Sequence, residues 1–330
     1  FGNLLSAETD DALQELAREI MPLMSEHENN ISLNEKLFAR IKTVYELADK
    51  AKLTPEQSKL LEDIYTGFVR NGANLQGDAK EQYRNLCKGL SLLTLQFSEN
   101  TLKETNDYRL VLTEKSQLSG LPESAIDAAA ETAQEKGVEG WVFTLHAPSY
   151  SPFMTHADNR DLRRELYMAY NTKCTHDNAC NNLEIVKKIA NIHMEIARLL
   201  GYDNFAEYNL KERMAQNSDT VYKLLNQLLE AYTPTAQKEY DEVQALARSE
   251  EGADFILMPW DWSYYSQKLK DRKFSINDEM LRPYFELSKV KEGVFGLASK
   301  LYGITFKKNA DIPVYHKDVE AYEVFDKDGT

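Results

Sequence analysis

Residues 260–269 read WDWSYYSQKL, residues 281–306 read LRPYFELSKVKEGVFGLASKLYGITF, and residues 319–330 read VEAYEVFDKDGT. The last of these alternates apolar and polar residues with the period of a strand. It runs into Asp326-Lys327-Asp328-Gly329, a good hairpin turn. A hairpin needs a returning strand, and Thr330 leaves no residues to build one. The expectation is a chain cut inside a structural element, with an unpaired terminal strand.

Working outward, the remaining pattern is mostly helical. Ser32-x-x-Glu35 reads as a capping box opening an amphipathic run through Leu37, Ile41, Val44 and Leu47. Thr54-Pro55-Glu56-Gln57 repeats the signal with Pro at the first helical position, and Asn71-Gly72 closes that helix. A long helix is expected from about 78 to 102. The period then changes: 108–112 reads as a strand, 122–136 as a helix stopped by Gly137, and 140–145 as a second strand. This strand–helix–strand insert is the best candidate for part of a second lobe. Helices resume at 159–173, at 183–200 with Gly201 beyond, and from Ser218 onward with Pro234 inside, where a kink or break is expected. A loop is expected at 250–253. No repeat of fixed period and no low-complexity tract is present.

A chain of 330 residues can bury a large core and suits two lobes. The net charge of −14 excludes a nucleic-acid binder, which needs a basic face, and fits an anionic membrane surface poorly. An acidic surface serves solubility, or attraction of cationic substrates. The apolar runs at 90–97 and 196–200 are too short to span a bilayer. Three cysteines, an odd count, form no disulfide framework and suit a reducing compartment, so a cytoplasmic location is expected. A periplasmic one stays open, because the first residue is Phe1 and the opening run reads as already inside a structure.

A zinc hydrolase helix needs His-Glu-x-x-His, because positions i and i+4 place both imidazoles on one face. His27-Glu28 begins such a motif, but Ile31 stands at the second ligand position, and His193 is followed by Glu195 at the wrong offset. The densest ligand cluster is Cys174-Thr175-His176-Asp177-Asn178-Ala179-Cys180. Structural zinc sites bring two pairs, and no second pair stands nearby, so the competing reading is an interhelical turn with cysteines packing as small apolar groups. Asp326-Lys327-Asp328-Gly329 is too short for a calcium loop. No phosphate loop or nucleophile elbow occurs. Trp260, Trp262, Tyr264 and Tyr265 are expected on one helix, with Trp260 and Tyr264 sharing a face. They serve either as core packing or as a peptide-lining wall.

These residues carry a resemblance. Trp260-Asp261, Tyr264-Tyr265, Leu281-Arg282-Pro283-Tyr284-Phe285, Gly293-Val294-Phe295, 301–306 and Tyr322-Glu323-Val324 resemble the thimet oligopeptidase family of zinc metallopeptidases. Within it, the bacterial peptidyl-dipeptidase (dipeptidyl carboxypeptidase) branch is the better match. Upstream, Asn159-Arg160, Arg163 and 169–173, then 197–202 with Phe205-Ala206-Glu207-Tyr208, are similar to further family motifs.

The resemblance implies a mainly α, two-lobed clamshell around a deep channel, with a few short strands in the second lobe. In its discontinuous division, 1–70 and 160–265 form a helical lobe, while 71–159 and 266–330 are portions of an incomplete catalytic lobe. It implies zinc in the intact parent, with none expected in this chain, because the family's His-Glu-x-x-His helix and downstream Glu lie beyond the point matching Thr330. In that site the metal polarises the scissile carbonyl and the motif Glu acts as base. The expected partners are short peptides and the remainder of the catalytic lobe, with no nucleic acid and no membrane. No catalytic or metal residue is carried over. The candidate substrate-binding residues are Tyr150 and Phe153, in a loop spanning 148–153, together with Trp260 and Tyr264. The rival reading is a non-enzymatic helical protein that binds peptides or a partner protein.

Overall fold

A computed structural model describes residues 1–49, 52–275 and 278–330 of the chain. The first part is helical: α1 (Gly2–Ala7), α2 (Asp11–Ser32), α3 (Glu35–Leu47), α4 (Pro55–Arg70) and the 31-residue α5 (Gly77–Asp107). The Thr54/Gln57 capping box forms as the sequence predicts, with Pro55 at the first position. The one at Ser32 does not. Ser32 is the last residue of α2, and the cap of α3 is Asn34, whose side chain accepts the Leu37 N–H at 2.9 Å. Nothing in 27–32 stops α2 early, so the cap moves to the first polar residue beyond its end.

Next come β1 (Leu110–Leu112), a 3₁₀ turn (Lys115–Leu118), α6 (Glu123–Glu135) and β2 (Trp141–Phe143). The two strands pair antiparallel, Leu110 opposite Phe143 and Leu112 opposite Trp141. The segment expected as a loop at 148–153 is helical instead. It lies in α7 (Ala147–His156), where Pro148 sits at the first turn and Pro152 is the only interior proline. Pro148 costs no helical bond at the first turn, and Pro152, the sixth of ten residues, leaves only the Pro148 carbonyl without its helical N–H.

Then follow α8 (Arg160–Asn171), α9 (Leu183–Leu199), α10 (Phe205–Leu210) and the 34-residue α11 (Ser218–Glu251). The chain does not break at Pro234. Residues 231–240 are exposed along their length, so water can serve the Glu230 carbonyl that proline leaves without an N–H partner. After Gly252 come a 3₁₀ turn (Pro259–Asp261), α12 (Trp262–Phe274), α13 (Asp278–Leu281), α14 (Leu287–Tyr302), β3 (Thr305–Lys308) and β4 (Tyr322–Phe325). The terminal strand is not unpaired: β4 runs antiparallel to β3, with Thr305 opposite Phe325. The turn after it also forms, Gly329 N–H reaching the Asp326 carbonyl at 3.0 Å. The fold is mainly α with a few short strands, as expected.

Burial falls into three clusters. In one, α5 lies between α2 and α9, with Leu33, Tyr83 and Ile196 buried among Leu86, Leu90 and Ile192. The largest packs β1 and β2 against α6, α7 and α8 through Leu110, Leu112, Phe143, Phe153, Met154 and Leu166. The third joins the end of α11 to α12 through Val243, Ala247, Leu257, Tyr264 and Tyr265. Packing therefore crosses the expected segment boundaries at 70/71 and 159/160.

Candidate functional site

The motifs Asn159-Arg160-x-x-Arg163 and Trp260-Asp261, about a hundred residues apart in sequence, meet in one polar junction. Asn159 caps α8, its Oδ1 accepting the N–H groups of Asp161 and Leu162, each at 3.1 Å. That fixes the first turn of α8, where Arg160 and Arg163 share a face because they stand three residues apart. Asp261 closes the 3₁₀ turn and is wholly buried. Its Oδ1 accepts from Arg163 Nη2 at 2.9 Å, and its Oδ2 accepts from Arg160 Nη2 at 2.7 Å and from the Met258 N–H at 3.0 Å.

Arg163 is only 1% exposed, so its charge must be satisfied inside the protein. Besides Asp261 it donates to the carbonyls of Ala157 at 2.7 Å and Asp158 at 3.1 Å, and its guanidinium lies 4.0 Å from the centre of the Tyr264 ring. The Tyr264 hydroxyl in turn donates to Asp158 Oδ1 at 2.7 Å, and Ser119 donates to Oδ2 at 2.6 Å. Burial pushes the Asp158 carboxyl upward, but the hydrogen bonds from Ser119 and Tyr264, with Lys268 and Arg163 nearby, outweigh it. The group is held below the usual carboxylate range. Gly120 (φ +84°) lets the backbone pass under this junction, where a Cβ would stand 2.2 Å from the His156 carbonyl oxygen. Each oxygen of Asp158 and Asp261 is engaged, leaving no free base or nucleophile. The junction is a clamp, not a reaction centre.

A cleft of about 720 Å³ opens between α6 and α7 above β2. Pro148, Ser151, Pro152 and Thr155 of α7 line it, with Ala125, Ala128 and Thr132 of α6, and with His146, His156, Lys136 and Arg282. Of the candidate substrate residues, Phe153 has no exposed surface: it points away from the cleft and packs edge-on against Phe143, ring centres 4.6 Å apart. Burial in the core thus removes it from any peptide wall in this structure. Tyr264 is 6% exposed, with its hydroxyl committed to Asp158. Tyr150 is half-buried and stacks on Tyr170 at 4.3 Å, and burial pushes its phenol up to about 12. Trp260 is half-buried at the edge of the largest core and meets the Tyr167 ring edge-on at 6.2 Å. It stands on the 3₁₀ turn before α12, so the four aromatics do not share one helix. The candidates are dispersed between two cores, not gathered at one surface.

Arg160, Arg163, Asp158 and Ser119 received no role from the sequence, although the first two stand within quoted motifs. The available signal was charge held at fixed spacing beside apolar runs.

Among the described residues, no group of three or more His, Cys, Asp and Glu side chains is placed to hold a metal ion. The cluster at 174–180 is a turn. Cys174 and Cys180 are buried, His176 Nε2 lies 3.2 Å from Thr172 Oγ1, and the Asn178 side chain accepts the Cys180 N–H at 2.8 Å. Burial, with a hydrogen bond to Glu104, pushes the Cys174 thiol up to about 11, opposite to what a thiolate ligand needs. Among the described residues no helix is long and apolar enough to cross a membrane.

Sequence comparison gives the junction and the cleft a context. The sequence model of peptidase family M3 matches residues 153–330. Oligopeptidase A of Escherichia coli (strain K12) is 35% identical over 330 residues, covering 98% of this chain and 48% of the relative. Dipeptidyl carboxypeptidase of the same organism is 33% identical over 331 residues, covering 100% and 48%. Saccharolysin of Saccharomyces cerevisiae (strain ATCC 204508 / S288c) is 27% identical over 311 residues, covering 91% and 43%. The chain spans about half the length of the curated relatives it matches. The identities to oligopeptidase A and to dipeptidyl carboxypeptidase stand within a few points of each other, so they do not decide between the two branches.

Proposed function

The chain belongs to peptidase family M3, and from that premise we propose that it is part of a zinc-dependent oligopeptidase that hydrolyses short peptides in a deep channel, releasing C-terminal dipeptides. The observation that carries this reading is the similarity to oligopeptidase A and dipeptidyl carboxypeptidase, which runs through 98% and 100% of this chain. The sequence holds no His-Glu-x-x-His, and in this reading the zinc ligands and the base belong to polypeptide outside these 330 residues. This chain contributes channel wall and the joint between lobes. In the proposed division, 1–70 with 160–265 face 71–159 with 266–330. The clamp of Ser119, Asp158, Arg163, Asp261 and Tyr264 then lies on the seam between them, as does the packing of α5 against α2 and α9. Tyr150 and Trp260, both partly exposed, are the proposed peptide contacts.

The test is a pair of assays on a blocked pentapeptide and a free-carboxyl pentapeptide. The 330-residue chain should cleave neither, while a longer chain carrying the other half should release C-terminal dipeptides and lose that activity to a chelator. Chelator-sensitive cleavage by the 330-residue chain would sink the assignment of the ligands elsewhere. An inert longer chain would sink the peptidase reading. Internal cleavage without dipeptide release would move it to an endopeptidase mode.

A further inference from the structure

The helix α14 shows two different faces. One, through Phe295, is packed on the β3–β4 ribbon: its ring stacks on Phe306 at 4.3 Å and meets Tyr322 edge-on at 5.0 Å. Glu320 ties this arrangement together by pairing with Lys291 of α14 and, at 2.5 Å, with Lys308 of β3. The neighbouring face carries Leu287, Val290, Val294, Leu297 and Leu301, between 38% and 82% exposed. Their spacing is three, four, three, four, the alternation of a helix that seats a second helix along its whole length.

The surface beside the stripe is concave. Tyr284 and Phe285, 76% and 66% exposed, overhang a groove of about 310 Å³ floored by Val290, Gly293, Val294 and Leu297. Gly293 and Gly296 lie inside α14 with nothing within 4 Å of where a Cβ would be. Glycine weakens a helix interior, and among the described residues no contact at either position offsets that. Gly293, at the edge of the apolar stripe and in the floor of the groove, allows a neighbouring backbone to come close there.

We infer that α14 is a helix-docking seam, and that its occupant is an amphipathic α-helix from the half of an M3 peptidase that this chain does not span. The size of that half supports the choice: the relatives carry about as much polypeptide outside the match as inside it. A contiguous apolar stripe of this kind also marks an interaction surface. The inference rests on the family reading above and adds the place and geometry of attachment.

The test uses this chain co-expressed with a tagged polypeptide comprising the part of Escherichia coli oligopeptidase A outside the match. The wild-type chain should be captured, and the double variant Val294→Glu, Leu297→Glu should be captured at least tenfold less. Val44→Glu, a comparably exposed apolar site on α3, should be captured like wild type. Both substituted side chains are largely exposed, so helix content and thermal midpoint should match wild type. Should the double variant nevertheless misfold, Leu301→Glu alone takes its place. Failure of wild-type capture, or equal capture of wild type and variant, overturns the seam. So does a dimer of this chain alone that the same double substitution abolishes, because the occupant would then be a second copy. Peptide cleavage is read separately: capture without cleavage leaves the seam standing and sinks the peptidase reading, whereas cleavage by a longer chain with the seam substituted sinks only the seam.

Discussion

Replacing Asp261 with Ala should be among the costliest single changes in the chain. The carboxylate is fully buried and accepts from Arg163, Arg160 and the Met258 N–H. Removing it leaves the Arg163 guanidinium, 1% exposed, without its hydrogen-bonded counter-charge. Breaking one side of a buried pair in this way costs about 3–5 kcal/mol. The lower end applies here, because Arg163 keeps two carbonyl acceptors and the face of Tyr264. With a urea dependence of about 3 kcal/mol per molar, about 3 kcal/mol moves the unfolding midpoint down by about 1 M. Arg160→Ala should cost less than about 1 kcal/mol, because Arg160 is 40% exposed and the remaining pair still neutralises Asp261. The double variant Arg163→Met, Asp261→Leu should recover most of the loss, since no buried charge is then left alone. The assay is urea unfolding followed by circular dichroism. A loss below about 1 kcal/mol in Asp261→Ala, or an equal loss in Arg160→Ala, would refute the clamp.

Gly120→Ala should lower stability by more than about 2 kcal/mol, combining left-handed backbone strain with a Cβ forced against the His156 carbonyl; a thermal midpoint within a degree of wild type would contradict it. Tyr264→Phe removes one donor from Asp158. The folded carboxyl lies below its ordinary 3.8, so its stabilisation is present above that value and is lost as pH falls through the folded pKa. The stability gap between wild type and variant should therefore narrow on acidification from pH 6 to 3, and a constant gap would count against the Tyr264–Asp158 bond. His193 stacks on Phe205 at 4.0 Å, and burial holds its imidazole below the ordinary 6.5. The unfolded chain takes up that proton first, so stability is present above pH 6.5 and lost as pH falls below it. His193→Phe should flatten the slope of stability between pH 7 and 5, and an unchanged slope would show that this ring does not set it.

Local signals are legible where one short stretch holds all the information. The Thr54-Pro55-Glu56-Gln57 box and the insert of β1, α6 and β2 lie where the sequence puts them, because cap, proline and period all act within a few residues. The cap at 32–35 was misread because two cap-like residues stand two apart, and only the length of α2 chooses between them. The helix at 148–153 is hidden by its prolines, which mark a loop in isolation; Pro148 is tolerated in the first turn, and Pro152 costs the helix a single bond. Phe153 shows a harder limit. Its position beside Tyr150 and Pro152 fits a wall or a core equally well, and the decision comes from Phe143, which a second element delivers from below.

The clamp is the clearest case of information present in the sequence but not locally readable. Arg163 and Asp261 each look like surface charges within their own segments, and neither segment names the other. What could have joined them is the energetic rule that a charge on the inward face of an apolar helix must find a partner or not be there. Applied to α8, whose inward face is marked by the buried Leu166, the rule requires an acid opposite Arg163. Asp261 meets that requirement between a core tryptophan and a core tyrosine pair. The apolar stripe of α14 is a different case. Apolar residues at helical spacing predict burial, and the structure leaves five of them bare. The mismatch between a pattern made for burial and a surface without cover is the physical reason to look for a helix outside these residues.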